Sequence, residues 1–419
     1  MELKSNEEVT AKALLVSVDT GEYDAAASLD ELFELVKSAG AEPVLSVTQN
    51  LPKVEKGTFV GSGKLVEISE ICSAQGIDLL VFDSELSPTQ IKNIEAETDV
   101  RVIDRTTLIL DIFAQRARSK EGKLQVELAQ LKYMLPRLTG KGIAMSRLGG
   151  GIGTRGPGET KLETDKRHIR RKMETLKEDL ADIEKHRQML RKRREKDGVI
   201  TCAIVGYTNA GKSTLMNYLT DAGVLAQDKL FATLDPTSRA LRLPSGVTVM
   251  LIDTVGLVRR LPHHLVEAFR STLEEAAQSD IILNVCDASS EEARTHMQVT
   301  EDLLESLGCG DTPVLTVLNK CDLLNESTIT QDFKACIRIS AKTGSGIDEL
   351  LQAIDDNLPV RLKKVKILLP FAQAGLAAEI RTKGTLICEE YAADGLKIDA
   401  IVDEQLYAKL CEFEVQEGQ

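Results

Sequence analysis

Eight consecutive residues in the middle of the chain could bind phosphate groups. The run Gly206-Tyr207-Thr208-Asn209-Ala210-Gly211-Lys212-Ser213 fits the pattern G-x-x-x-x-G-K-[ST], and it lies between a predicted strand and a predicted helix, Thr214 to Leu219. The glycines let backbone N–H groups and the helix N-terminus converge on α- and β-phosphates. Lys212, the first catalytic candidate, would reach β- and γ-phosphate oxygens, and the Ser213 hydroxyl would ligate Mg²⁺. The run therefore predicts a nucleoside triphosphate site with Mg²⁺ as cofactor.

Three later segments add a carboxylate that can help to hold Mg²⁺ and a site that recognises the nucleotide base. Asp253-Thr254-Val255-Gly256 follows a predicted strand, so Asp253 can hold the Mg²⁺ shell and Gly256 can offer its N–H to a γ-phosphate. In Asn319-Lys320-Cys321-Asp322, the Asp322 carboxylate can accept hydrogen bonds from N1–H and N2–H₂ of guanine, and adenine has neither donor there. Ser340-Ala341-Lys342 ends the next strand, where a backbone N–H would meet the guanine oxygen. The order of the four segments predicts binding of GTP and GDP.

The long connection Leu230-Phe231-Ala232-Thr233-Leu234-Asp235-Pro236-Thr237 is the candidate switch segment. Such a segment needs a hydroxyl and an N–H that close on Mg²⁺ and the γ-phosphate when both are present. Thr233 is the predicted second metal ligand beside Ser213, and Thr237 is the rival. The structural alternative is a threonine that faces solvent.

The predicted nucleotide-binding set combines the phosphate loop, the switch segment, the acidic motif and the two guanine motifs. Its members are Gly206, Tyr207, Thr208, Asn209, Ala210, Gly211, Lys212, Ser213, Phe231, Ala232, Thr233, Leu234, Asp235, Asp253, Thr254, Val255, Gly256, Asn319, Lys320, Cys321, Asp322, Ser340, Ala341 and Lys342.

The residues that would orient the attacking water are less evident. Leu257 follows Gly256 where many GTPases have a glutamine, and leucine cannot hydrogen-bond water. We therefore expect slow intrinsic hydrolysis, with the missing group supplied by a partner or another loop. Asn209 is the second catalytic candidate, because it could hold a K⁺ ion beside the β- and γ-phosphates. Asn is also an ordinary turn residue, and both interpretations stay open.

Length and composition limit the classes of protein to which the chain can belong. The 419 residues carry a net charge of −13 and are 42% hydrophobic, which excludes a wholly disordered chain. The eight cysteines are scattered without a C-x-x-C pair, as expected of reduced thiols in a core. The acidic start and the lack of a long apolar run predict neither a secretory signal nor an integral membrane segment. We expect a cytoplasmic monomer that does not bind DNA, and leave peripheral membrane association open.

Positive charge is concentrated in the region from Arg116 to Lys196, which we call the basic waist. It holds 23 Lys plus Arg and 11 Asp plus Glu. Leucines that start at Leu124 and apolar residues that start at Ile169 recur at helical spacing, which predicts an antiparallel helical hairpin. Between them lies a glycine-rich loop, about 139–160. A basic surface would attract phosphate, whereas a solvated helical pair and a plain linker are the structural alternatives.

The remaining pattern predicts an α/β protein. Strand and helix patterns alternate in 1–115, which indicates a small α/β domain, and again in 198–359, which indicates a P-loop GTPase domain with a doubly wound parallel sheet. The helical hairpin occupies 116–197, and the C-terminal residues 360–419 look like a small α+β domain. Gly61-Ser62-Gly63-Lys64 resembles a second phosphate loop but lacks its spacing, which favours a turn and helix start.

These motifs together resemble the HflX family of translational GTPases over almost the whole chain. The run from Gly149 to Lys161, GGGIGTRGPGETK, is the most family-specific part, and Phe231 to Pro236 and Gly61 to Lys64 also fit. The resemblance implies binding to the large ribosomal subunit, splitting or rescue of stalled ribosomes, and stimulation of GTP hydrolysis by the ribosome. It also implies that the N-terminal domain and the hairpin approach ribosomal RNA near the peptidyl-transferase region. Family members commonly carry an aromatic residue where Leu257 stands.

Two other functions fit the motifs less well. A GTP-switched regulatory scaffold would bind a protein or membrane partner with incidental hydrolysis, and its binding would survive RNase treatment. An RNA-remodelling ATPase is disfavoured by Asp322, because adenine would leave that carboxylate without a hydrogen-bond donor.

Overall fold

The computed structural model describes residues 10–138, 157–196, 198–220, 230–231, 237–260, 276–309, 312–324, 336–359, 362–392 and 394–415. These residues divide into two compact units. The first lies within Met1–Leu190, Gln227–Asp235 and Val255–Thr272, and the second within Arg191–Ala226, Pro236–Thr254 and Leu273–Gln419.

The first unit begins with a four-stranded parallel sheet flanked by helices. Its elements are β1 Lys12–Asp19, α1 Ala25–Ser38, β2 Glu42–Asn50, α2 Ser62–Gln75, β3 Leu79–Phe82, α3 Pro88–Thr98, β4 Arg101–Asp104 and α4 Arg105–Arg116, with sheet order β2-β1-β3-β4. Residues Ala13 to Val18 of the central strand are all buried, as expected of a parallel strand that is covered on both faces. The sequence prediction of a small α/β domain is confirmed.

Local sequence signals set the helix ends in this unit. The Asp24 carboxylate accepts hydrogen bonds from the backbone N–H groups of Ala26 and Ala27 at the start of α1. At the start of α3, Ser87 and Gln90 form a capping box. These caps satisfy N–H groups that have no partner within the helix itself.

Two helices follow in the basic waist, α5 Lys120–Arg137 and α6 Pro157–Lys196. Lys172 of α6 pairs with Glu127, and Arg187 pairs with Glu121 at 3.1 Å. The two pairs run in opposite chain directions, so the helices are antiparallel, as the spacing predicts. Of the predicted apolar positions, Leu176 is buried but Leu190 is 44% exposed. The predicted glycine-rich loop falls largely outside the described residues.

The second unit contains a six-stranded mixed sheet. Its elements are β5 Thr201–Gly206, α7 Lys212–Thr220, β6 Thr237–Arg242, β7 Thr248–Asp253, β8 Ile281–Asp287, α8 Ala293–Ser306, β9 Val314–Asn319, β10 Ile337–Arg338 and α9 Ile347–Asp356, with sheet order β10-β9-β8-β5-β7-β6. All pairings are parallel except that of β6 with β7, which is antiparallel. The parallel strands confirm the predicted doubly wound architecture, and β6 is an additional edge strand.

The C-terminal part of the second unit is a three-stranded antiparallel sheet with two helices. Its elements are β11 Leu362–Leu369, α10 Ala374–Lys383, β12 Thr385–Ala392, β13 Gly395–Asp403 and α11 Glu404–Leu410, with sheet order β11-β13-β12. Val365, Ile367 and Leu369 of β11 alternate into the core. The α+β prediction for this segment agrees with the observed sheet and helices. Among all the described helices, none has the length and apolar character needed to cross a bilayer.

Candidate functional site

The phosphate loop lies at the carboxyl end of β5 and turns into α7. Gly206 has φ +146°, and a Cβ there would lie 2.1 Å from the Val285 carbonyl oxygen. Gly211 has φ +89°, and its Cβ would lie 2.2 Å from Nδ2 of Asn319. Neither approach leaves room for a side chain, so glycine is required at both positions. The sequence motif therefore has the strand, loop and helix context that it needs.

Lys212 is buried within this loop. Its Nζ donates to the carbonyl oxygens of Gly206 at 3.0 Å and Tyr207 at 2.8 Å. Burial lowers the pKa of the ammonium to about 8, and the nearby Asp253 carboxylate opposes that shift. A lysine held in this way presents a compact positive charge at the loop.

The Ser213 hydroxyl and the Asp253 carboxylate meet at the ends of two adjacent elements. Ser213 Oγ donates to Asp253 Oδ2 at 2.8 Å, and Asp253 is fully buried at the end of β7. Thr254 Oγ1 donates to the Ile204 carbonyl at 2.7 Å, which ties the chain after Asp253 to β5. Hydroxyl and carboxylate oxygens are the hard ligands that Mg²⁺ prefers. The donor set of Ser213 and Asp253 therefore fits Mg²⁺.

Asn319 joins the phosphate loop to the second guanine motif. Its Nδ2 donates to the Ala210 carbonyl at 2.8 Å, and its Oδ1 accepts from the Ala341 N–H at 2.9 Å. In the sequence Asn319 stands out as a member of a motif, without a role of its own. The structure places its amide as a buried bridge that sets the distance between the two loops.

The other residues that the sequence predicts to recognise the base surround this bridge. Lys320 has φ +63° and pairs with Asp287 at 2.7 Å. Asp322 lies exposed in the 3₁₀ turn Cys321–Leu323. Ser340 is buried, and its hydroxyl accepts from the Thr343 N–H at 3.2 Å. The structure thus brings together the two motifs that the sequence predicts to bind guanine, with the Asp322 carboxylate accessible.

Parts of the candidate switch segment and of the segment that follows Asp253 belong to the core of the first unit. The Phe231 ring packs edge-on against Phe113, with centroids 4.6 Å apart, and the Leu230 N–H donates to Ser38 Oγ at 3.1 Å. Val255 and Val258 are buried in the same apolar cluster. Leu257 is also buried. Of the predicted residues, Ala232, Thr233, Leu234 and Asp235 lie outside the described part of the chain, and the rival Thr237 begins β6.

A network of charged side chains around the buried Asp83 and Arg105 anchors the segment after Gly256. Arg260 donates to Ser28 Oγ at 2.7 Å and to the Asp83 carbonyl at 2.8 Å, and it pairs with the Asp83 carboxylate. Arg105 pairs with Asp83 at 2.8 Å and with Glu31, and it also donates to the Arg259 carbonyl at 3.2 Å. The sequence does not predict this network, because nothing in a local pattern indicates a partner so distant along the chain.

The second glycine-lysine motif has a structural role. Gly61 caps α2, and its N–H donates to Gln49 Oε1 at 2.9 Å. Lys64 pairs with Glu67, three residues later, at 2.9 Å. These contacts favour the turn and helix start over a second nucleotide site.

Comparison with known proteins gives the family. Three family models match consecutive parts of the chain: "GTP-binding GTPase N-terminal" over residues 26–114, "GTP-binding GTPase Middle Region" over 116–194 and "50S ribosome-binding GTPase" over 201–320. The GTPase HflX of Lacrimispora saccharolytica is 50% identical over 414 residues, covering 98% of each chain. The chain belongs to the HflX family. Its similarity extends to the HflX GTPases of Caldanaerobacter subterraneus, 48% identical over 96% of this chain and 93% of that one, and of Escherichia coli K12, 45% identical over 82% of each.

A solved structure also resembles the chain. The GTP-binding protein of the archaeon Sulfolobus solfataricus, in complex with GDP, is 25% identical over 83% of this chain and 98% of that one, with a TM-score of 0.45. Membership of the HflX family makes this protein a GTPase that binds GTP and GDP.

Proposed function

We propose that this HflX GTPase holds Mg²⁺·GTP through Lys212, Ser213, Thr233 and Asp253, binds the large ribosomal subunit in its GTP state, and splits or rescues stalled ribosomes. The observation that carries the nucleotide part is the Asn319 bridge, because it connects the phosphate loop at Ala210 with the guanine motif at Ala341. The ribosomal part is supported by the family model for a 50S ribosome-binding GTPase that matches residues 201–320.

Each residue has a chemical role in this proposal. The Lys212 ammonium stabilises negative charge on the β- and γ-phosphate oxygens, and the loop N–H groups hold the α- and β-phosphates. Ser213 and Asp253 would hold Mg²⁺, which neutralises charge on the phosphates when it is bound, and Thr233 would complete that site. The Asp322 carboxylate selects guanine through N1–H and N2–H₂.

Hydrolysis requires a further group in this mechanism. Leu257 cannot orient water, and it is buried, so its side chain is not available to the solvent. A group supplied in trans raises the rate of a GTPase by on the order of 10³ to 10⁵. We propose that the ribosome supplies or orders that group.

The coupling of nucleotide to the rest of the chain follows from where the switch segments pack. Phe231 and Val255 lie in the core that also contains Phe113, and Arg260 pairs with Asp83. A γ-phosphate that moves either segment would therefore disturb the packing of the first unit. This supports transmission of the nucleotide state to the N-terminal domain and the basic waist.

The base assignment has a direct test. Asp322→Asn would replace the oxygen that accepts from guanine N2–H₂ by an N–H donor, and we expect it to weaken GTP binding while favouring xanthosine triphosphate, whose base presents an oxygen at position 2. Asp356→Asn, a change of another exposed aspartate, serves as the matched control and should bind GTP normally. ATP competing as well as GTP for the site would overturn the assignment.

The ribosomal role is tested by turnover and binding. We expect purified large subunits to stimulate GTP hydrolysis, and co-sedimentation with them to require GTP or a non-hydrolysable analogue. Equal binding with GDP would refute the coupling, and absence of stimulation would favour the scaffold function. RNase treatment then distinguishes the partners, since a protein partner would stay bound.

We propose K⁺ as a second cation, held at Asn209. This residue has φ +60° and an exposed side chain in the phosphate loop. Turnover measured in KCl, NaCl and tetramethylammonium chloride at equal ionic strength tests the idea. Stimulation by K⁺ that disappears in Asn209→Ala supports a cation ligand, whereas equal rates in all three salts leave Asn209 as a turn residue.

A further inference from the structure

An aromatic side chain within the phosphate loop stacks on a histidine from a helix of the same unit. The rings of Tyr207 and His296 are nearly parallel, with an interplanar angle of 13° and centroids 3.8 Å apart. Tyr207 is buried, with a relative exposure of 5%. No sequence motif connects the two residues, because His296 lies in α8, outside every nucleotide-binding segment.

The backbone of Tyr207 is part of the lysine's binding site. Lys212 Nζ donates to the Tyr207 carbonyl at 2.8 Å, the shorter of its two contacts with loop carbonyls. Gly206, one residue earlier, has no side chain to fix the loop. The orientation of the Tyr207 peptide is therefore set in part by what its ring contacts.

His296 is well suited to hold that ring. It lies in the first turns of α8, where its carbonyl accepts from Thr300 Oγ1 at 2.9 Å and its Nε2 is 3.9 Å from Glu292 Oε2. Ala293, Thr300 and Leu304 are the buried residues of this helix. The imidazole thus projects from an element that is anchored in the core rather than from a loop.

We propose that His296 is a positioning residue for GTP hydrolysis: its ring fixes Tyr207, and thereby the carbonyl that holds the Lys212 ammonium. The inference rests on the proposed role of Lys212 in phosphate binding. It does not require His296 to touch nucleotide, and it assigns the effect to a flat ring at this position rather than to a charge.

Three substitutions separate stacking from simple volume. His296→Phe keeps a planar ring, His296→Leu keeps apolar volume without a plane, and His296→Ala removes both. The free energy that a stacked aromatic pair contributes corresponds to about a twofold to tenfold change in an equilibrium or rate constant. We expect Ala and Leu to lower kcat/KM for GTP by about that factor, with most of the loss in kcat, and Phe to restore it.

The matched control is Thr295→Ala, an exposed residue next to His296 on the same helix. It should leave kcat and KM unchanged. Thermal unfolding of each variant reports the packing contribution separately. If Leu and Phe behave alike in kcat while differing from Ala, His296 only fills space, and the proposal is wrong.

A double-mutant cycle tests whether His296 acts through the lysine. In a Lys212→Ala background the further change His296→Ala should have less than about a twofold effect, because the group that it positions is gone. Equal effects in both backgrounds would refute the proposal. If Lys212→Ala itself leaves GTP turnover unchanged, the proposed nucleotide site fails instead, so the two failures are distinguishable.

Discussion

Arg260 and Asp83 are 177 positions apart in the chain, yet the Arg260 guanidinium donates to both the carboxylate and the main-chain carbonyl of Asp83. Asp83 is 1% exposed, and its other carboxylate oxygen pairs with Arg105. The segment that follows Gly256 is thus attached to the N-terminal sheet by a buried charge and not by apolar packing alone. If this segment moves on nucleotide exchange, it has to break the contact with Asp83 or move Asp83 with it.

Replacing Arg260 by alanine tests the strength of that attachment. The Asp83 carboxylate keeps Arg105, so the loss should be smaller than the 3–5 kcal/mol typical of a buried charge left without any partner. We expect the free energy of unfolding to fall by about 1–2 kcal/mol, measured by urea denaturation. Arg239→Ala is the control, because Arg239 is exposed and donates to the carbonyl of the neighbouring Ser238, so it should change stability by less than about 0.5 kcal/mol. Equal losses in the two variants would contradict the anchoring role.

The sequence predicts most of this fold because its strands are strongly patterned. The apolar runs of β1, β5 and β8 are buried along nearly their whole length, and runs of this kind are characteristic of parallel strands that are covered on both faces. Edge strand β6 was missed because Leu241 is its one buried residue, and no apolar run marks it. The predicted strand Ile337 to Ser340 is shorter in the structure, where β10 ends at Arg338.

The features of the candidate site likewise divide into those that a local sequence pattern indicates and those that it does not. The phosphate loop and the predicted guanine motifs are local patterns, so sequence alone is enough to propose their residues. The Asn319 bridge, the Tyr207–His296 stack and the Arg260–Asp83 pair join residues that are remote in the chain, and each depends on how the elements pack. No spacing rule within one segment encodes such contacts.

Nucleotide affinity should depend on pH through Lys212. In the free protein burial lowers the pKa of this ammonium to about 8, and a bound phosphate would raise it again because it favours the charged form. Binding is then accompanied by proton uptake when the pH exceeds about 8, so the affinity for GDP should fall as the pH rises from 8 towards 9.5. Calorimetry at several pH values measures this slope.

Lys212→Ala provides the reference for that experiment. It should bind GDP more weakly and lack the lysine-dependent part of the slope, while it retains any contribution from titration of the guanine itself. A slope identical to that of the unaltered protein would show that Lys212 does not titrate in this range.

Gly344 lets the predicted second guanine loop lie close to Tyr218 of α7. It has φ +86°, and a Cβ there would lie 2.0 Å from the Tyr218 hydroxyl and 2.7 Å from Cζ of the ring. We expect Gly344→Ala to displace Ser340 to Lys342 and to weaken binding of both GDP and GTP by about tenfold, since the combined strain is of order 1–3 kcal/mol. Fluorescence titration with a labelled guanine nucleotide measures the change.

Gly308 offers a matched control for the strain that alanine has at a positive φ without a steric clash. Its φ is +81°, but a Cβ there would meet no atom within 4 Å. Gly308→Ala should therefore reduce stability without changing guanine affinity. Tyr218→Ala combined with Gly344→Ala should recover part of the lost affinity, and no recovery would show that the clash with Tyr218 is not the cause.

The exposed arginines near the start of α6 should carry RNA binding. Arg167, Arg170 and Arg171 are all exposed, and α6 belongs to the basic waist. Each phosphate contact that a cation makes contributes about 0.7–0.9 to the slope of log K against log salt, because it releases condensed counterions. Changing the three arginines to alanine should reduce that slope for ribosomal RNA by about two units and weaken binding most at low salt.

Lys177 and Lys185 of the same helix pair with Glu174 and Asp182, so their replacement should change the slope less per residue. Equal slopes for both sets would mean that net charge, and not this face of the helix, determines the affinity for RNA.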